Sequence, residues 1–144
     1  MTQKTGFKSV PKIDRVTVGS VPEPPPGSWS NCLRVRDQIF LSGLVAQDGR
    51  GGVIGEGDSF AQASYIFECI RDYMEGAGGS MSGIVAMNIF VTDMKHRPGV
   101  LDARRKYFSD DFPCSTLVEV SALIDPRLLV EINATGFVGA SEQR

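Results

Sequence analysis

The sequence predicts a single α+β domain, one sheet packed against two helices, with the element order β-β-α-β-α-β-β. Three observations point there. The chain is 144 residues long and 42% apolar, enough to build one ordinary core. Short runs that alternate apolar and polar residues lie near both ends. Between them, two segments carry apolar residues at helical spacing on either side of a β-branched run.

Residues 1–28 are polar and Pro-rich and include "VPEPPPGS". Consecutive prolines favour polyproline II and remove the N–H groups that a sheet needs. This part reads as an irregular arm with one short edge strand over 14–18. "CLRVRDQIFLSG" reads as a hairpin. Leu33 and Val35 alternate with Arg34 and Arg36, Asp37-Gln38 turns the chain, and Ile39, Phe40 and Leu41 form the return strand. Gly43 then ends that strand or lets a neighbour approach its backbone. "AQDGRGGVIGEGD" carries five glycines and is a loop.

Ser59-x-x-Gln62 matches a capping box and opens a helix. Its buried stripe is Ala63, Ile66, Phe67, Ile70 and Met74, with Glu68, Arg71 and Asp72 outside. The glycines in 76–79 stop it. "SGIVAMNIFVTDM" is a strand apolar on both faces, which asks for cover on both sides from a helix or another subunit. Pro98 opens the second helix, with Val100, Leu101, Arg104, Tyr107 and Phe108 on its inner stripe. "STLVEVSAL" and, after the turn "IDPR", "LLVEINATGFV" are the last strands. The domain is placed at 29–139, and residues 140–144 are expected to fray.

The net charge of −2 and pI of about 5.4 give no basic surface for releasing counterions from nucleic acid or docking on anionic headgroups. The one basic run, Arg104-Arg105-Lys106, reads as a solvated helix face. No stretch approaches the ~18 apolar residues of a membrane span, and "MTQKTGFKSV" has no signal-peptide pattern. Cys32, Cys69 and Cys114 are odd in number and far apart, and His96 is the only histidine. No zinc constellation can be assembled from these, and free thiols in a reducing cytoplasm are expected. His96 sits between Lys95 and Arg97 in a loop, a poor setting for a catalytic base.

Several stretches together, "IFLSGLVAQDG", "GAGGSMSGIVAMNIFVTDM", "RRKYF", "FPCSTLVEV" and "LVEINATGF", resemble the Rid (reactive intermediate deaminase, YjgF-like) family over residues 27–138. The resemblance implies a chorismate-mutase-like fold assembled as a homotrimer with clefts between subunits. It implies hydrolysis of enamine or imine intermediates to a keto acid and ammonia. The partners implied are a small-molecule substrate and further copies of the chain, with no cofactor, metal, nucleic acid or membrane.

In that family an Arg in a Pro-Ala-Arg-Ser/Thr motif holds the substrate carboxylate. Pro113-Cys114-Ser115-Thr116 stand there in this chain, so Ser115 replaces the Arg, as in a branch that lacks the anchor. A guanidinium is a bidentate, permanently charged clamp, whereas a serine hydroxyl offers one neutral hydrogen bond. Losing a buried charged pair costs about 2–5 kcal/mol, so simple 2-iminoacids are expected to be poor substrates. A bulkier or less anionic catabolic intermediate is expected instead. The family's "GPYSQ" becomes Gly27-Ser28-Trp29-Ser30-Asn31, and an Asn common on the second helix aligns with Leu101.

Glu131, between Val130 and Ile132, faces away from its apolar neighbours. It aligns with a pocket carboxylate of the family and is the candidate catalytic base for activating water. Candidate substrate-binding residues are Ser115, Trp29, Gly43, Cys114, Thr116, Leu101, Glu119 and Arg104. Arg104, on the inner helix stripe, is the one that could supply the missing positive charge from another direction. Cys114 is otherwise a small buried filler, since no cation is evident to activate its thiol. Two rival readings are a non-catalytic ligand-binding homotrimer and an endoribonuclease.

Overall fold

The computed structural model describes residues 9–109 and 111–140. A six-stranded mixed sheet is built from β1 (Ile13–Arg15), β2 (Cys32–Val35), β3 (Gln38–Leu44), β4 (Ile84–Val91), β5 (Cys114–Glu119) and β6 (Val130–Phe137), in the order β1-β2-β3-β6-β4-β5. Only β4 and β5 run parallel; they are the pair joined through a helix, as a parallel connection requires. Helices α1 (Ser59–Gly76) and α2 (Arg97–Arg104) share one apolar core with the sheet. The expected α+β order therefore holds, with β1 as the short extra edge strand.

The core follows the predicted periodicity. Ala63, Ile66, Phe67, Ile70 and Met74 of α1 are fully buried, against Ile39, Ile84, Ile89, Val91 and Ile132 of the sheet. Along β6, Val130, Ile132, Ala134 and Gly136 point to the helices, and Glu131, Asn133, Thr135 and Phe137 alternate to the other side. That other side carries no helix. Paired positions across it include Phe40, Thr135 and Ala86, and beside them Glu131, Phe90 and Val118. Phe40, Val118 and Phe137 remain more than a third exposed.

Four local expectations are corrected. The hairpin turns at Arg36-Asp37, one residue early, because Val35 pairs with Gln38; Arg36 adopts φ 55° there. The cap of α1 is Asp58, whose carboxylate accepts from the Ala61 N–H at 3.0 Å. Asp58 keeps extended backbone angles, φ −123° and ψ 101°, and Ser59 is already helical, so the cap falls one residue early, and Gln62 is used elsewhere. Its amide nitrogen donates to the carbonyls of Gly55 and Arg127, and its oxygen accepts from the Leu129 N–H. Helix α2 ends at Arg104, so Tyr107 and Phe108 pack from the following turn. Cys114 is exposed rather than buried, because β5 is an edge strand and Cys114 lies on the uncovered face opposite Ala86. The expected fraying falls, from residue 141 on, outside the described residues.

Candidate functional site

Glu131 and Gly43 form one half of the site. Alternation along β6 turns the Glu131 side chain onto the uncovered face, and a register shift in β3 between Leu41 and Leu44 sets Gly43 beneath it. A Cβ on Gly43 would collide with Oε1 of Glu131. The missing side chain is therefore what lets the carboxylate lie flat against the β3 backbone. Glu131 is half-buried, and burial alone raises its pKa above the usual carboxylate value. Among the described residues no donor meets the carboxylate.

Ser115 and Arg104 form the other half. Arg104 Nη1 donates to the Ser115 hydroxyl at 3.1 Å. The guanidinium lies over the Phe112 ring, 5.1 Å from its centroid. Its Nε is buried without a hydrogen-bond partner. Desolvation, then the charges of Arg105 and Arg97, push its pKa down. Among the described residues no carboxylate forms an ion pair with it, whereas Arg105 is paired with Asp102 at 2.6 Å. A partly desolvated guanidinium with like charges nearby and no carboxylate partner among the described residues is suited to receiving an anion.

One chain does not bring these halves together. Ser115 pairs with Met87, which pairs with Ala134, so Ser115 shares the helix-covered side. Glu131 pairs with Phe90, which pairs with Val118, on the uncovered side. Strand β4 also stands between β5 and β6. The other candidates divide the same way. Cys114 and Thr116 point with Glu131 to the uncovered face, and Glu119 lies on the side of Ser115. The Glu119 carboxylate accepts from the Met94 N–H at 2.9 Å, which ties down the turn before α2. Leu101 is half-buried one helical turn before Arg104.

Trp29 and Gly43 meet at a cavity of about 480 Å³, which the N-terminal arm walls with Val21 to Pro26. The indole Nε1 donates to Asn31 Oδ1 at 3.0 Å. Asn31 Nδ2 in turn donates to Pro22 O and Tyr73 Oη, and the Tyr73 hydroxyl donates to Glu23 at 2.8 Å. This chain of bonds fastens the arm to α1. Asn31, Tyr65 and Ile124 also line the cavity and were not singled out from sequence. The only local hint was an aromatic residue set beside a proline run. Burial raises the Cys32 and Cys69 thiols to about 11, so neither is a nucleophile near neutrality. Among the described residues no three His, Cys, Asp or Glu side chains cluster to hold a metal. No helix among the described residues is long and apolar enough to cross a membrane.

Relatives share this framework. A 3-aminoacrylate deaminase, RutC, from Acinetobacter baylyi is 27% identical over 115 residues, 80% of this chain and 90% of that protein. A RutC family protein from Pyrococcus horikoshii is 28% identical, covering 78% of this chain and 89% of its own length. Among solved structures, a protein of unknown function from Pseudomonas aeruginosa superposes with a TM-score of 0.83 at 31% identity, over 94% of this chain and 99% of that one. RidA from an Antarctic Psychrobacter superposes with a TM-score of 0.74 at 25% identity, over 87% and 99%. The family model described as Endoribonuclease L-PSP matches residues 21–138, and the chain belongs to this family, the YjgF/Rid family.

Proposed function

We propose that the protein hydrolyses a small enamine or imine bearing a carboxylate, releasing ammonia, in a cleft formed between copies of the chain in a homotrimer. The observation that carries this reading is the Glu131 carboxylate, set over Gly43, partly desolvated and without a hydrogen-bond donor among the described residues. A raised pKa poises it to exchange a proton with water closer to neutral pH.

In the reaction, ionised Glu131 takes a proton from water as the oxygen attacks the C=N carbon. The same proton then goes to the nitrogen, giving a carbinolamine. The carboxylate next takes the hydroxyl proton and passes it to the amine as the C–N bond breaks, leaving a C=O group and ammonia. An enamine first gains a proton at carbon to become the imine. Arg104, at the Ser115 hydroxyl, is the residue suited to hold the carboxylate, and outward-facing backbone N–H groups of edge strand β5 can polarise the electrophile. Because Ser115 and Glu131 of one chain lie on opposite faces, the cleft needs Arg104 and Ser115 from one copy and Glu131 and Gly43 from the next. The helix-free sheet face, with Phe40, Phe90, Val118 and Phe137 among its residues, suits that association. The RutC relative's printed activity is of the same chemical kind.

The test is ammonia release from 2-iminoacids generated in situ and from 3-aminoacrylate, measured above the spontaneous rate. Release lost in Glu131→Gln supports the reading. Binding of these acids without ammonia would instead make the protein a ligand-binding module.

A further inference from the structure

We propose that the cavity beside Gly43 is a subsite for an apolar, preferably aromatic, substituent on the substrate, a role that rests on the deaminase reading. Its volume of about 480 Å³ falls within the ~300–1,000 Å³ of small-molecule sites, more than a compact acid of the aminoacrylate type occupies. Its walls are Trp29, Pro24, Pro25, Leu44, Tyr65 and Ile124. Gly43 belongs both to this cavity and to the backbone under the Glu131 carboxylate, so a group bound here lies next to the reacting centre.

The Asn31, Tyr65 and Glu23 side chains of the lining are already engaged. Asn31 is bonded to Trp29, Pro22 and Tyr73, and the Tyr65 hydroxyl donates to Gln47 O at 3.3 Å. Glu23 accepts from Tyr73 and from Arg15. No Lys, Arg or His is among the described residues that line the cavity, and Glu23 is its one charged group. A carboxylate would meet a like charge there and no cation, with the neutral Gln47 amide as the one uncommitted side-chain donor among the described lining residues. The two ends of the substrate are thus sorted by charge, the anionic end toward Arg104 of a neighbouring copy and the neutral end into this cavity.

Trp29 is 49% exposed and Ile124 76% exposed, so a ligand ring would cover apolar surface that water now meets. The indole is held by its bond to Asn31. A flat, conjugated group therefore stacks on a wall that is already oriented, without a further ordering cost.

Trp29 is the only tryptophan, so its emission reports on the cavity directly. Binding of 3-phenylpropionate and of propionate to the assembled protein is compared by Trp29 fluorescence and by calorimetry. We expect 3-phenylpropionate to bind at least ten-fold tighter, about 1.4 kcal/mol, and to shift Trp29 emission to the blue. Ile124→Asn, at a surface position that leaves the core intact, should cut that advantage to less than about three-fold. Equal affinities, tight binding with unchanged emission, or an advantage intact in Ile124→Asn would each overturn the subsite. The reaction itself is read separately. A phenyl preference with no ammonia from any imine supports the subsite and removes the deaminase reading, whereas turnover without the preference removes the subsite alone.

Discussion

The Arg104 guanidinium donates to the Ser115 hydroxyl across 3.1 Å, so a helix residue brings positive charge to the strand position where the sequence has only a neutral side chain. Arg104 was the side chain expected from the sequence as a possible source of charge from another direction, and its guanidinium lies at the Ser115 hydroxyl. Arg104 is the last residue of α2, and Phe112, in the connection to β5, supports its guanidinium plane. Among the described residues its buried Nε has no hydrogen-bond partner and no carboxylate forms an ion pair with it.

Arg104→Met is expected to raise KM for carboxylate substrates about 30- to several-thousand-fold, corresponding to the ~2–5 kcal/mol of a desolvated charged contact. Their neutral amides should be little affected. Adding Ser115→Arg to Arg104→Met should recover much of the loss. Ser115→Arg alone sets two guanidiniums side by side and should help far less. A KM series over acid and amide pairs checks this; an equal loss for both would mean Arg104 only packs.

For Glu131 the pH dependence has a definite sign. Burial raises its pKa, so the folded protein keeps a proton at a pH where an ordinary glutamate, near ~4.3, has lost it. As a base it must be ionised. Turnover should therefore fall as pH drops through a pKa above the usual carboxylate range, and Glu131→Gln should abolish turnover. Stability runs the other way. The native state binds more protons than the unfolded chain, so stability declines as pH rises from about 4.3 through the folded pKa. Glu131→Gln should lack that decline, which urea midpoints across pH would show.

Gly43→Ala separates the catalytic geometry from the fold. Its Cβ would collide with the far end of a flexible carboxylate, which can swing aside at modest cost. A displacement of about 1 Å at a reacting group is worth roughly a hundred-fold in rate. We expect kcat to fall by about that factor while the melting temperature moves by only a few degrees. Unchanged kcat would show that the carboxylate position over Gly43 is not the one used.

Much of this was legible from periodicity. The 63–74 stripe and the alternation of 130–137 each report which face of one element is packed, and the structure buries those faces. Capping was not legible, because Asp58 and Ser59 are both good caps and only geometry chooses between them. The split of the site was hidden for a different reason. Whether Ser115 and Glu131 share a face depends on the register of both strands against β4, through Met87 and Phe90. No single strand's pattern carries that information. Arg104 was visible as an oddity on an apolar stripe, but its contact crosses from helix to strand.

Gln62 illustrates the same limit in energetic terms. Its amide is fully buried and ties the loop at Gly55 to the residues before β6 at Arg127 and Leu129. Gln62→Leu keeps the volume but leaves these backbone groups without their partner, at ~1–3 kcal/mol for each group that stays dry. We expect a loss of about 2–4 kcal/mol in urea unfolding with an unchanged m-value. A loss below about 0.5 kcal/mol would mean that water reaches all three groups.

If each cleft draws Arg104 from one copy and Glu131 from the next, two variants, each impaired at substrate concentrations well below the raised KM of Arg104→Met, should repair one another. Arg104→Met and Glu131→Gln homotrimers each lack one half of every cleft. When the two are unfolded together in equal amounts and refolded, a cleft is intact only if the first copy carries Arg104 and its neighbour carries Glu131. Random mixing in a cyclic assembly gives that combination in about one cleft in four, so activity should return to roughly a quarter of the wild-type value. Mixing the folded variants without unfolding should restore activity only as fast as subunits exchange. No recovery after co-refolding, with mixed assemblies confirmed by mass, would mean that each chain completes its own site. That outcome conflicts with the opposite facing of Ser115 and Glu131 across β4, and it would force the water-activating role onto another residue.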